Sequence, residues 1–309
     1  MTTLVGGIEA GGTKFVCVVG TGPEDIRAQV RIPTTTPEAT LGEALAFFQQ
    51  QSRHVGPLAA LGIASFGPLD LHPSSPSYGF ITSTAKPGWR NVDLAGPFRR
   101  ALGVPVSIDT DVNGAALGEG RWGAARGLGT FVYLTVGTGI GGGGVINHQM
   151  MHGLIHPEMG HIWLPRSPKE EPSFQGVCPY HGGCFEGLAS GPALHRRWGG
   201  QAEALPENHP AWELEAHYIS LALANFIATL SPQRIILGGG VMAQRHLYPL
   251  VRDEVRRLLN GYIQSADILE RMDAYIVPPA LEGLSGAAGA LALAQTRVLK
   301  DMPVLEKTG

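Results

Sequence analysis

A strand–glycine turn–strand hairpin opens this chain at residue 4, and another opens at residue 130. In the first, residues 4–9 form a short apolar run, Ala10-Gly11-Gly12 breaks it, and a run rich in β-branched residues resumes over 13–19. In the second, a strong strand over 130–136 enters Gly137-Thr138-Gly139-Ile140-Gly141-Gly142-Gly143-Gly144, and Val145-Ile146 resume it. Helices and strands alternate after each. A chain that begins the same way twice is expected to build two α/β lobes with similar starts, facing across a cleft. Its 309 residues suit two units of roughly 150 each. The boundary is expected near 118–129. That gives a smaller N-terminal lobe over 1–118 and a larger one over 119–289, with a C-terminal helix over about 290–309 returning to the first.

Between the hairpins, Thr36-Pro37 reads as an N-cap followed by proline at the first helical position, and Leu41, Ala44, Leu45 and Phe48 follow at helical spacing. Residues 58–65 and 104–108 read as strands. The second ends at Asp109-Thr110-Asp111, and a small-residue helix over 113–118 follows. The stretch 72–89 is rich in Pro, Ser, Gly and Thr; its length suggests a functional, lid-like loop. Beyond the second hairpin, 165–185 reads as irregular. Residues 211–230 form a long buried helix stopped by Ser231-Pro232. Residues 234–237 read as a strand entering Gly238-Gly239-Gly240, 250–259 as an amphipathic helix, 274–277 as a strand and 286–299 as a closing helix.

Composition removes several classes. The net charge is −3 and only 16% of residues are charged, so no basic excess points to nucleic acid. At 44% hydrophobic the chain is not disordered, and its 43 glycines follow no three-residue period. The N-terminus lacks a basic segment followed by a long apolar run, so no signal peptide is expected. The weakly polar stretch 131–146 is too short and glycine-rich to span a membrane. Three cysteines, Cys17, Cys178 and Cys184, suit a reducing compartment. A cytoplasmic protein without membrane or nucleic-acid partners is expected, with Cys17 a small core residue.

Three glycine turns, 10–14, 137–144 and 238–242, each follow a strand. Glycine lets backbone N–H groups approach phosphate oxygens, so three such turns, two with an adjacent Thr13 or Thr138, favour a polyphosphate site over plain hairpins. Gly137-x-Gly139-x-x-Gly142 fits the dinucleotide string, but a β-type run follows it instead of a helix. Gly11-Gly12-Thr13-Lys14 lacks the P-loop spacing. Asp111, at a strand's C-terminal end, is placed to take a proton from a substrate hydroxyl; the plainer alternative is that it caps the next helix. Cys178-x2-His181-x2-Cys184 with His161 supplies two thiolates and two imidazoles, a closed tetrahedral set for structural Zn²⁺. Glu158 and Glu186 bracket that segment; a rigid metal loop would place them to bind neutral hydroxyls, and the plainer alternative is that they are solvated surface carboxylates.

Taken together these motifs resemble the ROK family of sugar kinases. The resemblance runs through Gly7-Ile8-Glu9-Ala10-Gly11-Gly12-Thr13-Lys14, Asp109-Thr110-Asp111-Val112-Asn113-Gly114-Ala115-Ala116 and Leu134-Thr135-Val136-Gly137-Thr138-Gly139-Ile140-Gly141-Gly142. It continues through His156-Pro157-Glu158-Met159-Gly160-His161, the run from Cys178 to Glu186, and Ile235-Ile236-Leu237-Gly238-Gly239-Gly240-Val241. It covers nearly the whole chain in order. Glu9 where most members have Asp, Lys86-Pro87-Gly88-Trp89, and His181 where many members use a third Cys are similar to the zinc-containing bacterial fructokinase branch.

The resemblance implies a two-lobed actin-like ATPase fold, of hexokinase type and ribonuclease H-like, with a zinc-bound loop. It implies ATP-dependent phosphorylation of fructose at the 6-hydroxyl, with Mg²⁺, and Asp111 as general base. Thr110, Glu158, His161 and Glu186 match residues that hold the sugar, His161 serving both zinc and substrate. Gly11, Gly12, Thr13, Lys14, Thr138, Gly139, Pro192, Gly238, Gly239, Gly240, Val241 and Met242 match the nucleotide side. Glu9 is either a magnesium organiser or structural. A homodimer is implied. The alternatives are a kinase for glucose, mannose or N-acetylmannosamine, or a non-catalytic sugar sensor. The family's winged-helix repressors need a segment ahead of the first hairpin, for which Leu4 leaves no room.

Overall fold

The computed structural model describes residues 3–301. Within them the chain divides into two compact units, one of 3–123, His152–His156 and 283–301, the other of 124–151 and 157–282. Residues 302–309, the end of the expected 290–309 helix, lie outside the described residues.

The first unit opens with strand β1 (Val5–Ala10) and its antiparallel partner β2 (Lys14–Gly22), joined by the glycine turn. β3 (Asp25–Pro33) extends the hairpin. Its residues alternate, Ile26, Ala28, Val30 and Ile32 on one face and Arg27, Gln29 and Arg31 on the other. Helix α1 (Pro37–His54) starts where Thr36 accepts a hydrogen bond from Ala39 N at 3.4 Å, and it buries Ala44 and Phe48. Then come β4 (Leu61–Ser65), β5 (Phe80–Ile81), β6 (Val92–Asp93), α2 (Gly96–Leu102), β7 (Val106–Thr110) and α3 (Asp111–Trp122). The sheet order is β3-β2-β1-β4-β7, with β1, β4 and β7 parallel.

The 72–89 stretch is anchored at Ile81 and Trp89. Ile81 and Trp89 are fully buried, and the Trp89 indole donates to the Thr35 carbonyl at 2.9 Å while packing between Phe15 and Phe66. Lys86-Pro87-Gly88-Trp89 is thus an anchor into this unit's core, whose apolar insertion outweighs the flexible composition around it.

The second unit repeats the plan. β8 (Phe131–Val136), β9 (Ile140–Ile146) and β10 (Gln149–Met150) form the antiparallel part. After α4 (Phe185–Ala189), α5 (Gly191–Trp198) and α6 (Ala211–Leu230) come β11 (Ile235–Gly238), α7 (Leu247–Leu259), α8 (Ala266–Leu269), α9 (Met272–Tyr275) and β12 (Ile276–Val277). The order β10-β9-β8-β11-β12 mirrors the first sheet. Gly141–Gly144, expected in a turn, lie within β9, because a Cβ at Gly142 would press on Leu134 and Met159 and one at Gly144 on the Phe131 carbonyl. Of residues 274–277, expected in a strand, Ala274 and Tyr275 end α9 and Ile276 and Val277 form β12. The central α6 buries Trp212, Tyr218, Ile219, Leu223 and Phe226 against Val132, Leu134, Ile235 and Leu237.

The closing helix α10 (Ser285–Asp301) belongs to the first unit, packed on α3, β1 and β4. The approach is close enough that a Cβ at Gly62 would collide with the Ala290 carbonyl oxygen. Gly62→Ala is therefore expected to destabilise this unit by about 1–3 kcal/mol, the usual scale of overpacking. A lowered denaturation midpoint would show it; an unchanged midpoint would mean that α10 moves aside freely.

Candidate functional site

The zinc-motif segment carries little periodic signal, yet it is firmly held. Glu170 and Arg197 form a buried pair with two 2.9 Å hydrogen bonds, their side chains 1% and 4% exposed. Arg197 also donates to the Leu188 carbonyl and lies 4.1 Å over the Phe174 ring, and Tyr218 donates to Glu170 at 2.9 Å. Each charge is thus fully partnered, which is the condition for a buried pair to be tolerated. The pair ties the irregular 165–185 stretch to α5 and α6.

On that base His161, Cys178, His181 and Cys184 converge, their ligand atoms all within 4.8 Å of one another. Cys178 Sγ lies 3.7 Å from Nδ1 of both His161 and His181, and Cys184 Sγ lies 3.5 Å from His161 Nδ1. The edges of a tetrahedron around a metal with bonds of about 2.0–2.3 Å span about 3.3–3.8 Å. Those three separations match such an edge, and the whole set lies within 4.8 Å, so the four residues converge as candidate ligands for a four-coordinate ion.

His161 turns Nδ1 towards the thiols, leaving Nε2 4.0 Å from Glu158 Oε2. The Glu158 side chain is 38% exposed; its partial burial, reinforced by the neighbouring Glu186 charge, raises the carboxyl above the usual carboxylate range. Glu186, on α4, is not a solvated surface carboxylate. Its Oε2 accepts from Ile140 N at 2.9 Å, fastening the turn between β8 and β9.

That turn is the meeting point of the second unit's glycine motifs. Gly191 N, at the start of α5, donates to the Gly137 carbonyl at 2.7 Å. Gly239 has φ +95°, and a Cβ there would collide with the Val136 carbonyl, so only glycine fits. A Cβ at Gly137 would lie 3.5 Å from Gly240 N. Thr138, Gly239, Gly240 and Pro192 are exposed around this junction, and Gly139 is half-buried. Gly238, Val241 and Met242 are buried, so the latter two present backbone to any ligand while their side chains fill the core.

In the first unit, Gly12, Thr13 and Lys14 are exposed on the turn between β1 and β2, which is closed by Gly11 N to the Lys14 carbonyl at 3.0 Å and by Thr34 Oγ1 to the Gly11 carbonyl at 2.7 Å. Asp111 is the first residue of α3 and half-exposed. The cap is Thr110, whose hydroxyl accepts from Asn113 N at 3.1 Å and is buried. Its oxygen serves the helix, a structural duty that the expected sugar contact leaves out. Glu9 is half-buried, its carboxyl packed over Gly286, and burial raises its pKa despite Lys14 and Arg31.

One participant is absent from the expected set. Asp109 Oδ1 accepts from Thr110 N at 2.8 Å and Asn113 Nδ2 at 2.9 Å, and Oδ2 pairs with His152 Nε2 at 2.8 Å. An Asp at a strand end, four residues before an Asn, is the local signal for the first two bonds; the third joins residues 43 apart in sequence and has none.

The ROK family profile matches residues 5–297. The chain is 48% identical to a fructokinase of Zymomonas mobilis, over 94% of this chain and 96% of that protein. It is 42% identical to a fructokinase of Streptococcus mutans, over 96% and 98% respectively. A ROK family glucokinase from Streptomyces griseus, solved with glucose and AMPPNP, superposes with a TM-score of 0.75 at 25% identity, covering 95% of this chain and 99% of that one.

Proposed function

We propose a reaction from one premise: the chain belongs to the ROK family. Its fold is the two-lobed actin-like ATPase fold. It is an ATP-dependent sugar kinase that phosphorylates fructose, as the full-length similarity to fructokinases supports. The finer reading is transfer to the 6-hydroxyl. That choice of hydroxyl is carried over from the family resemblance; the observation that supports a kinase site is Glu186, which follows the ligand cluster and accepts from the backbone of the glycine turn. One carboxylate thereby fixes the spacing between groups suited to hydroxyls and groups suited to phosphates.

In this reading Asp111 accepts the proton from the sugar hydroxyl as that oxygen bonds to the γ-phosphorus, and the bond from that phosphorus to ADP breaks. Backbone N–H groups of the turns at Gly11–Lys14, Thr138–Gly139 and Gly239–Gly240 hold phosphate oxygens, with Pro192 beside them. Glu158, His161 and Glu186 orient the sugar, where positioning supplies much of the rate. Mg²⁺ bound with ATP would supply neutralisation of the phosphate charge. Among the described residues, the His161–Cys178–His181–Cys184 cluster is the one group placed to cage an ion, and its donors fit structural Zn²⁺. The sparse cysteines and the family's usual dimers extend the proposal to a cytoplasmic homodimer. No helix among the described residues is long and apolar enough to cross a membrane.

A coupled ADP-release assay with ATP and Mg²⁺, comparing fructose, glucose, mannose and N-acetylmannosamine, tests the substrate. Fructose is expected to give the highest kcat/KM. Preference for another hexose would keep the family and overturn the substrate; no turnover with any sugar would favour a sensor.

A further inference from the structure

We propose that His152 is a positioning residue for Asp111, acting through Asp109; this rests on the reading of Asp111 as the base. Asp109 sits at the end of β7, its side chain 6% exposed. Both its oxygens are engaged: Oδ1 by Thr110 N and Asn113 Nδ2, Oδ2 by His152 Nε2. The first two bonds define the passage from strand to helix, because Thr110 is the N-cap of α3 and Asp111 its first residue. The third keeps the carboxylate in that orientation. A carboxylate only accepts, so His152 Nε2 donates. The bond raises the pKa of His152, which favours the charged, stronger donor.

His152 is itself held in place. It begins a segment, His152–His156, that belongs to the first unit although the flanking chain belongs to the second. At the segment's other end His156 Nε2 accepts from Leu69 N at 3.0 Å, a buried hydrogen bond. The ring of His152 is 43% exposed, so its removal opens no core cavity. Its removal leaves a buried carboxylate oxygen without that donor, an arrangement the site relieves by turning Asp109 towards water. Turning loosens the bonds to Thr110 N and Asn113, and the first turn of α3 moves with Asp111. A misplacement on the order of 1 Å costs about 10²-fold in rate.

The test compares His152→Ala, His152→Leu and His152→Gln in the full chain, with Asp111→Asn in the same fructose assay. His152→Ala and His152→Leu are expected to lower kcat about 10–100-fold with KM for fructose and ATP within about threefold. His152→Gln, whose amide N–H reaches a similar position, is expected to recover most of the loss. Circular dichroism of every variant should match the parent. Wild-type kcat in His152→Leu beside an inactive Asp111→Asn would overturn the proposal. So would a rise in KM at constant kcat, which belongs to a substrate contact, or a His152→Gln variant as slow as His152→Leu. An active Asp111→Asn would instead overturn the base assignment.

Discussion

Asp111→Ala is expected to lower kcat for fructose phosphorylation by about 10²–10⁴-fold, the contribution of a positioned general base, while leaving the fold intact. The expectation follows from where the side chain lies. Asp111 is half-exposed at the first position of α3, and Thr110 rather than Asp111 caps that helix. Its carboxylate accepts from Val112 N at 2.9 Å, and a negative charge in a helix's first turn contributes only about 0.3–1 kcal/mol. The variant should therefore unfold at nearly the parent denaturant concentration. Catalysis and stability separate at this residue because the structural duty falls on its neighbour. KM for fructose should change little, since Glu158, His161 and Glu186 carry the sugar in this reading. Loss of kcat with retained fold and retained KM identifies a group needed in the transition state. Near-normal kcat in Asp111→Ala would remove the base assignment and leave positioning and phosphate neutralisation as the whole mechanism.

What could be read without coordinates follows a physical division. Hairpins, capped helices and the long α6 announce themselves through local chemistry: glycine turns between β-branched runs, Thr36-Pro37, and an apolar surface nearly all round the second half of 211–230. Three of the four ligand-cluster residues are legible for the same reason, since Cys178-x2-His181-x2-Cys184 is a local spacing, whereas His161 lies 17 residues before Cys178. β3 is faint in the sequence although its alternation is regular, because arginines and glutamine occupy half of it and mask the apolar half. The order of 165–185 was invisible. It comes from Glu170 meeting Arg197 and from four ligands converging, neither of which leaves a periodic trace. The 72–89 stretch misled in the opposite direction: its composition is that of a mobile loop, while Trp89 and Ile81 lock it into a core. The role of Asp109 stayed hidden because its partner His152 arrives from a distant part of the chain. Gly141–Gly144 were read as a turn on composition alone, whereas crowding by Leu134, Met159 and the Phe131 carbonyl explains why a strand needs glycines there.

Removal of the ion proposed for the second unit has the other large expected effect, on stability and sugar affinity together. The purified protein is expected to carry one Zn²⁺ per chain, and Cys178→Ser or chelation to release it. The ordered state of a loop with so few backbone elements depends on the ligand cluster, so thermal unfolding should shift to lower temperature. The sugar effect is more specific. His161 presents Nδ1 to the thiols and Nε2 towards Glu158, so an ion on Nδ1 fixes both the tautomer and the direction of the second nitrogen. Freed of the ion, the ring rotates and its hydrogen bond to the sugar is lost. A hydrogen bond between neutral groups is worth about 0.5–1.5 kcal/mol, and each 1.4 kcal/mol is about tenfold in affinity. KM for fructose is therefore expected to rise about two- to tenfold in zinc-free protein that remains folded below its lowered transition. Restoring Zn²⁺ should return KM to the parent value in the chelated protein but not in Cys178→Ser. A verified zinc-free protein with unchanged fructose KM would confine the ion to a structural role and leave His161 to bind sugar unaided.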